Sequence, residues 1–228
     1  MAALPPRDDW AEGMNFTIPN LLSIIRLLAA PCVAMSFVLL ERPLADQIAI
    51  LIFVGAALTD YLDGWLARIL RQESAFGRML DPIADKAMVM IALTMIITLY
   101  DLDWPVVVPT VLIILREVLI SGLREFLGDV KLEVTRMAKW KTTLQMLAIC
   151  LLLLQGAAAP DAAAGPMNPI VAKVLAGAAV GVGAVGLLLL WIAAWFTIVT
   201  GWDYFRKGLP YIREKEGAVT TVAAEAED

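Results

Sequence analysis

With 228 residues, 60% of them hydrophobic, and a mean hydropathy of +0.76, the chain is too apolar for a soluble domain and reads as a polytopic membrane protein. It has no histidine, which excludes imidazole acid–base chemistry and histidine metal ligands, and Cys32 and Cys150 both fall in apolar runs that suit small core residues better than a disulfide or a zinc site. The formal charge of −5 decides little, because orientation in a membrane follows the placement of Lys and Arg.

Residues 1–15 form a polar segment, a short surface helix or a disordered tail, and its acids Asp8, Asp9 and Glu12 do not suit a secretory leader. Six apolar segments follow, at 18–40, 45–68, 82–100, 105–127, 140–154 and 170–202. Segments near 20 residues can cross a hydrocarbon core of ~30 Å as helices. The expected fold is therefore all-α, with six transmembrane helices in a domain at 16–202 and a disordered tail at 203–228. The 2–3 connection carries Arg68, Arg71, Arg78 and Lys86, the 4–5 connection carries Arg124, Lys131, Arg136, Lys139 and Lys141, and the tail adds Arg206, Lys207, Arg213 and Lys215. Arg42 is nearly alone on the other side, so both termini are expected in the cytoplasm. The far half is expected to be apolar apart from the pair Arg116–Glu117.

The chemistry gathers between residues 60 and 85. Asp60 and Asp63 are three apart and Asp81 and Asp85 four apart, so each pair shares one helix face. Two helices joined by a short loop would bring four carboxylates to one membrane surface, where unpaired they would repel and cost several kcal/mol of desolvation. A divalent cation removes that conflict, and hard cations take carboxylate oxygens together with phosphate. The stretch points to a metal site for phosphate chemistry.

The full spacing D-x2-D-G-x2-A-R-x8-G-x3-D-x3-D is met by Asp60, Asp63, Gly64, Ala67, Arg68, Gly77, Asp81 and Asp85. This resembles the signature of the CDP-alcohol phosphotransferases. The blocks IPNLLSIIR at 18–26, REVLISGLREF at 116–126 and AKWKTTLQM at 138–146 are similar to those of the phosphatidylglycerophosphate synthases within that family. The resemblance covers residues 15–200 or so and implies transfer of a phosphatidyl group from CDP-diacylglycerol to an alcohol, with release of CMP. It implies that Asp60, Asp63, Asp81 and Asp85 hold two divalent cations, Mg²⁺ or Mn²⁺, and that Asp85 is also the general base. Asp60, Gly64, Ala67, Arg68 and Gly77 would meet the nucleotide, and sn-glycerol 3-phosphate would be the acceptor. A homodimer in the cell's inner membrane is implied, and no nucleic-acid partner.

For the acceptor phosphate the expected cations are Arg116, Arg124, Arg136, Lys139 and Lys141, in a pocket between the fourth and fifth segments on the Asp81/Asp85 side. Arg116 and Glu117 read equally well as a self-satisfied ion pair, and Arg26 as a buried partner or a substrate contact. Inositol phosphate, serine or a phospholipid are alternative acceptors. A cation transporter is the alternative outside this chemistry, and it would need polar residues through the whole membrane depth.

Overall fold

The computed structural model describes residues 18–70, 75–127, 136–158 and 168–225; for 18–19, 61–70, 75, 78, 136–139 and 213–225 it describes the backbone alone. The described residues form helices throughout: α1 (Ile18–Leu39), α2 (Leu44–Leu70), α3 (Ala75–Leu99), α4 (Trp104–Leu127), α5 (Arg136–Ala157) and α6 (Pro169–Glu225). Among them α1, α3, α4, α5 and α6 contain stretches long and apolar enough to cross a membrane. The segments read from sequence correspond to these helices, with two differences that matter for the site.

The third segment was expected to open at Pro82, a residue suited to a helix start. Instead α3 begins at Ala75 and carries Pro82 inside it, so Gly77, Asp81 and Asp85 ride on one continuous helix. The sixth segment was expected to end at Trp202 and pass into a disordered tail. That expectation is corrected: α6 continues to Glu225. Past Trp202 the helix still has something to pack against. Tyr204 is buried, Gly208 lies against Leu123 and Leu127 of α4, and Asp203 pairs with Lys207 at i,i+4, 2.8 Å apart. The apolar part of α6 alone, Pro169–Ile212, spans 44 residues, or about 66 Å, and must project beyond a ~30 Å hydrocarbon core.

Short turns at 40–43 and 100–103 join α1 to α2 and α3 to α4. α1 packs along both α2 and α3, which touch each other little; α6 packs on α5 and α4, and α2 on α5. The midplane is filled by Val33, Phe53, Leu93, Ile96, Ile113, Ile149, Leu152 and Leu190, with Ala30, Ala49, Ala92, Ala148 and Ala193 where backbones approach. Lipid supplies no hydrophobic drive between helices, so small residues that permit close van der Waals contact hold such a bundle together.

At the end where α1 finishes, the structure departs from the expected apolar half. Asp46 is fully buried, and Arg42 donates to it from Nε and Nη2, at 2.7 and 3.1 Å. Gly156 of α5 lies against this pair; a Cβ there would stand 2.1 Å from Asp46 Oδ1. Beside it Tyr100 donates to Gln155 Oε1 at 2.7 Å, and burial pushes the Tyr100 phenol up to about 12, Arg42 opposing and Asp46 adding. Arg116–Glu117, which was expected to be the polar exception there, lies at the opposite end. Among the described residues the two polar ends are separated by the apolar midplane.

Replacing Arg42 would leave a fully buried carboxylate without its charge partner. Arg42→Met should therefore cost about 3 kcal/mol or more, whereas Asp46→Asn, which removes the charge itself, should cost less. Thermal unfolding of the two variants in detergent checks the order; equal losses would show that Arg42 acts through packing alone.

Candidate functional site

The other end, where α1 begins, collects most of the ionisable residues that sequence reasoning selected. Asp60 sits on α2 and Asp81 and Asp85 on α3, but the two helices do not simply face each other. α1 lies along both and supplies a partner to each: Arg26 Nη1 donates to Asp60 Oδ1, and Ser23 Oγ donates to Asp81 Oδ1. Arg26 is 2% exposed and pairs with Asp60. Its charge compensates Asp60, whose side chain remains 46% exposed. Asp85 is half-buried, one turn deeper than Asp81.

Two cavities meet this cluster. A narrow one is walled by Arg26 of α1, Phe53, Ala56 and Asp60 of α2, Asp85 of α3 and Met146 of α5. Small alanines on α2 leave Asp60 and Asp85 facing a common space. The second cavity is large, about 560 Å³, and lies between α3, α4 and α5. Four cations line it, Lys86, Arg116, Arg124 and Lys141, against two carboxylates, Asp85 and Glu117. Asp85 is the residue common to both cavities.

Several local features hold the cations. Arg116 Nη1 donates to Glu117 Oε1 at 3.3 Å and Nη2 to Thr200 Oγ1 at 3.3 Å. Gly201 of α6 makes room for it, since a Cβ there would come 3.0 Å from Arg116 Cγ. Arg124 donates to the Tyr204 hydroxyl at 3.0 Å and stands 5.1 Å over its ring. Lys141, 4% exposed, donates to Glu117 Oε1, and Lys86 donates to Ser121 Oγ.

The structure brings Arg116, Arg124 and Lys141 to one cavity with Asp85, between α3, α4 and α5. Sequence reasoning had used Lys86 only for topology and overlooked Gln145. The signal was present: Pro82, Asp85, Lys86 and Val89 fall at i, i+3, i+4 and i+7, and Lys141 and Gln145 at i, i+4. Gly77 is buried one turn before Asp81. Asp63, Gly64, Ala67 and Arg68 lie on the last turns of α2, and Arg136 and Lys139 on the first turn of α5, where the described residues include no side chains.

Among the described residues no three acidic or sulfur side chains come together as a metal-binding group. Asp60 and Asp85 bring two carboxylates to one cavity, and Asp63 follows Asp60 by three helical positions. A donor set of carboxylate oxygens alone, with no histidine or cysteine, fits a hard divalent cation in chemistry.

Comparisons with known proteins agree on one family. The family model described as CDP-alcohol phosphatidyltransferase matches residues 16–202. A protein of Cereibacter sphaeroides called CDP-diacylglycerol–glycerol-3-phosphate 3-phosphatidyltransferase is 48% identical over 221 residues, covering 89% of this chain and all of the relative. Proteins of the same name from Rickettsia bellii and Haemophilus influenzae are 40% and 42% identical, over 83% and 60% of this chain and 93% and 75% of their own lengths.

Proposed function

Because the chain belongs to the CDP-alcohol phosphatidyltransferase family, we propose that it transfers the phosphatidyl group of CDP-diacylglycerol to a hydroxyl of sn-glycerol 3-phosphate, with CMP as the other product. The observation that carries this reading is the position of Asp85, between a cavity it shares with Asp60 and a cavity lined by four cations. The names of the relatives supply both substrates. A cationic cavity suits a phosphorylated acceptor, because a dianion with three acceptor oxygens rewards several Arg and Lys donors at once.

In this mechanism Arg116, Arg124 and Lys141, together with Arg136 and Lys139, bind the acceptor's phosphate and aim its hydroxyl toward Asp85. Asp85 accepts the hydroxyl proton, and the oxygen attacks the phosphorus that bears the lipid. The bond to the CMP oxygen breaks. Arg68 pairs with the pyrophosphate, and Gly64, Ala67 and Gly77 give the nucleotide room beside Asp60. Asp60, Asp63, Asp81 and Asp85 would hold two divalent cations, Mg²⁺ or Mn²⁺, which when bound supply charge neutralisation at the pyrophosphate and the leaving CMP. Positioning and fixed charge account for most of the rate gain.

The same reading puts the site at the cytoplasmic surface of the inner membrane, with six spans and both termini cytoplasmic, from the concentration of Lys and Arg on that side. It includes a homodimer with one site per protomer, for which close-packing small residues on α6 give a face.

The test is an acceptor panel. Purified protein with CDP-diacylglycerol should release CMP with sn-glycerol 3-phosphate and far less with serine, free inositol or glycerol. If serine or free inositol serves better, the cationic cavity is not the acceptor site. If no acceptor releases CMP, the transferase reading fails altogether.

A further inference from the structure

Two of the four cations in the large cavity end on a single carboxylate that the mechanism does not use. Lys141 and Arg116 both donate to Glu117 Oε1. Lys86 donates to Ser121 Oγ, and that hydroxyl donates at 2.6 Å to the backbone carbonyl of Glu117. Arg124 is held on Tyr204, and Arg116 reaches Thr200 as well. The side chains concerned are secluded: 5% exposed for Lys141, 13% for Arg116 and 19% for Glu117. An ammonium so enclosed needs an anion beside it at all times.

We propose that Glu117 is an internal stand-in for the acceptor's phosphate and thereby sets acceptor specificity. This rests on the acceptor-pocket reading above and deepens it. Until an acceptor binds, the Glu117 carboxylate neutralises Lys141 and Arg116 and keeps the cavity from collapsing or filling with stray anions. A phosphate monoester carries a charge of about −1.5 to −2 near neutral pH and three acceptor oxygens. It can take over both cations at once and displace Glu117 from them. A neutral polyol offers no anionic group, and the single carboxylate of serine, beside its own ammonium, brings less charge than a phosphate monoester, so both meet cations that are already satisfied. Discrimination comes from this competition as much as from attraction, since an acceptor must bring enough charge to win.

The experiment uses full-length protein in detergent, wild type beside Glu117→Gln, Lys141→Met and the double variant. Acceptor and CDP-diacylglycerol KM are measured for each, and the thermal midpoint with and without inorganic phosphate as the probe. Glu117→Gln should lower the glycerol 3-phosphate KM by roughly tenfold, about one charge-assisted hydrogen bond that need no longer be displaced, with KM for CDP-diacylglycerol unchanged. Without ligand its midpoint should fall below wild type, and phosphate should raise it further than it raises wild type. In the Lys141→Met background, Glu117→Gln should recover part of the lost acceptor affinity, which keeps the proposal testable if the single variant folds poorly.

A raised acceptor KM in Glu117→Gln, an equal phosphate response in both proteins, or no recovery in the double variant overturns the stand-in role and makes Glu117 a positioning residue. That failure is separate from failure of the pocket itself. If Lys141→Met leaves the acceptor KM unchanged, the cavity does not bind the acceptor, and the proposal falls with it.

Discussion

Asp85→Asn should reduce phosphatidyl transfer by about 10²- to 10⁴-fold, the range that a positioned general base contributes. The exchange keeps the shape of the side chain and removes its basicity. Asp85 is the one described side chain that faces both the cavity of Asp60 and Arg26 and the cavity of the four cations. A proton accepted there leaves the acceptor at the border between the two substrates. The variant should still bind CDP-diacylglycerol, because Asp60, Asp63 and Asp81 are untouched. CMP release on adding glycerol 3-phosphate is the readout, with CDP-diacylglycerol binding measured separately. Activity above about a tenth of wild type would require a different proton acceptor.

The second large effect is expected on the acceptor. Arg116→Gln and Arg124→Gln should each raise the KM for glycerol 3-phosphate about 10- to 100-fold, as loss of one charge-assisted hydrogen bond predicts. KM for CDP-diacylglycerol should stay nearly constant. The two variants should differ in stability. Arg116 is wedged against Gly201 and Thr200 of α6, so its removal also loosens the α4–α6 contact and lowers the thermal midpoint. Arg124 is exposed and rests on the Tyr204 ring, so its removal should leave the midpoint almost where it was. If both KM values rise together in either variant, that arginine serves the lipid substrate or the fold.

Much of this protein is legible in the order of its residues. Apolar runs long enough to span a bilayer have to be helices there, because only a helix satisfies every backbone donor and acceptor within one segment. The aspartate pairs are legible for the same local reason: spacings of three and four define a helix face wherever the helix goes. The cavity cations Arg116, Arg124 and Lys141 can be named from their block and their sign.

What only the tertiary structure decided are the matters of rotation and distance between helices. Arg26 lies 34 residues from Asp60, and Ser23 lies 58 from Asp81; nothing in their local pattern says that α1 runs along both aspartate helices. Lys86 looked like a topology signal until the rotation of α3 turned it into the cation cavity. Glu117 looked like a private partner of Arg116 until α5 brought Lys141 to the same carboxylate, 24 residues away. The extension of α6 beyond Trp202 depended on a groove of α4 ready to receive Tyr204 and Gly208. Spacing along one helix is a property of the covalent chain, and sequence by itself determines it. Which face of one helix meets which face of another depends on the packing of the small residues between them, and only the assembled bundle sets that.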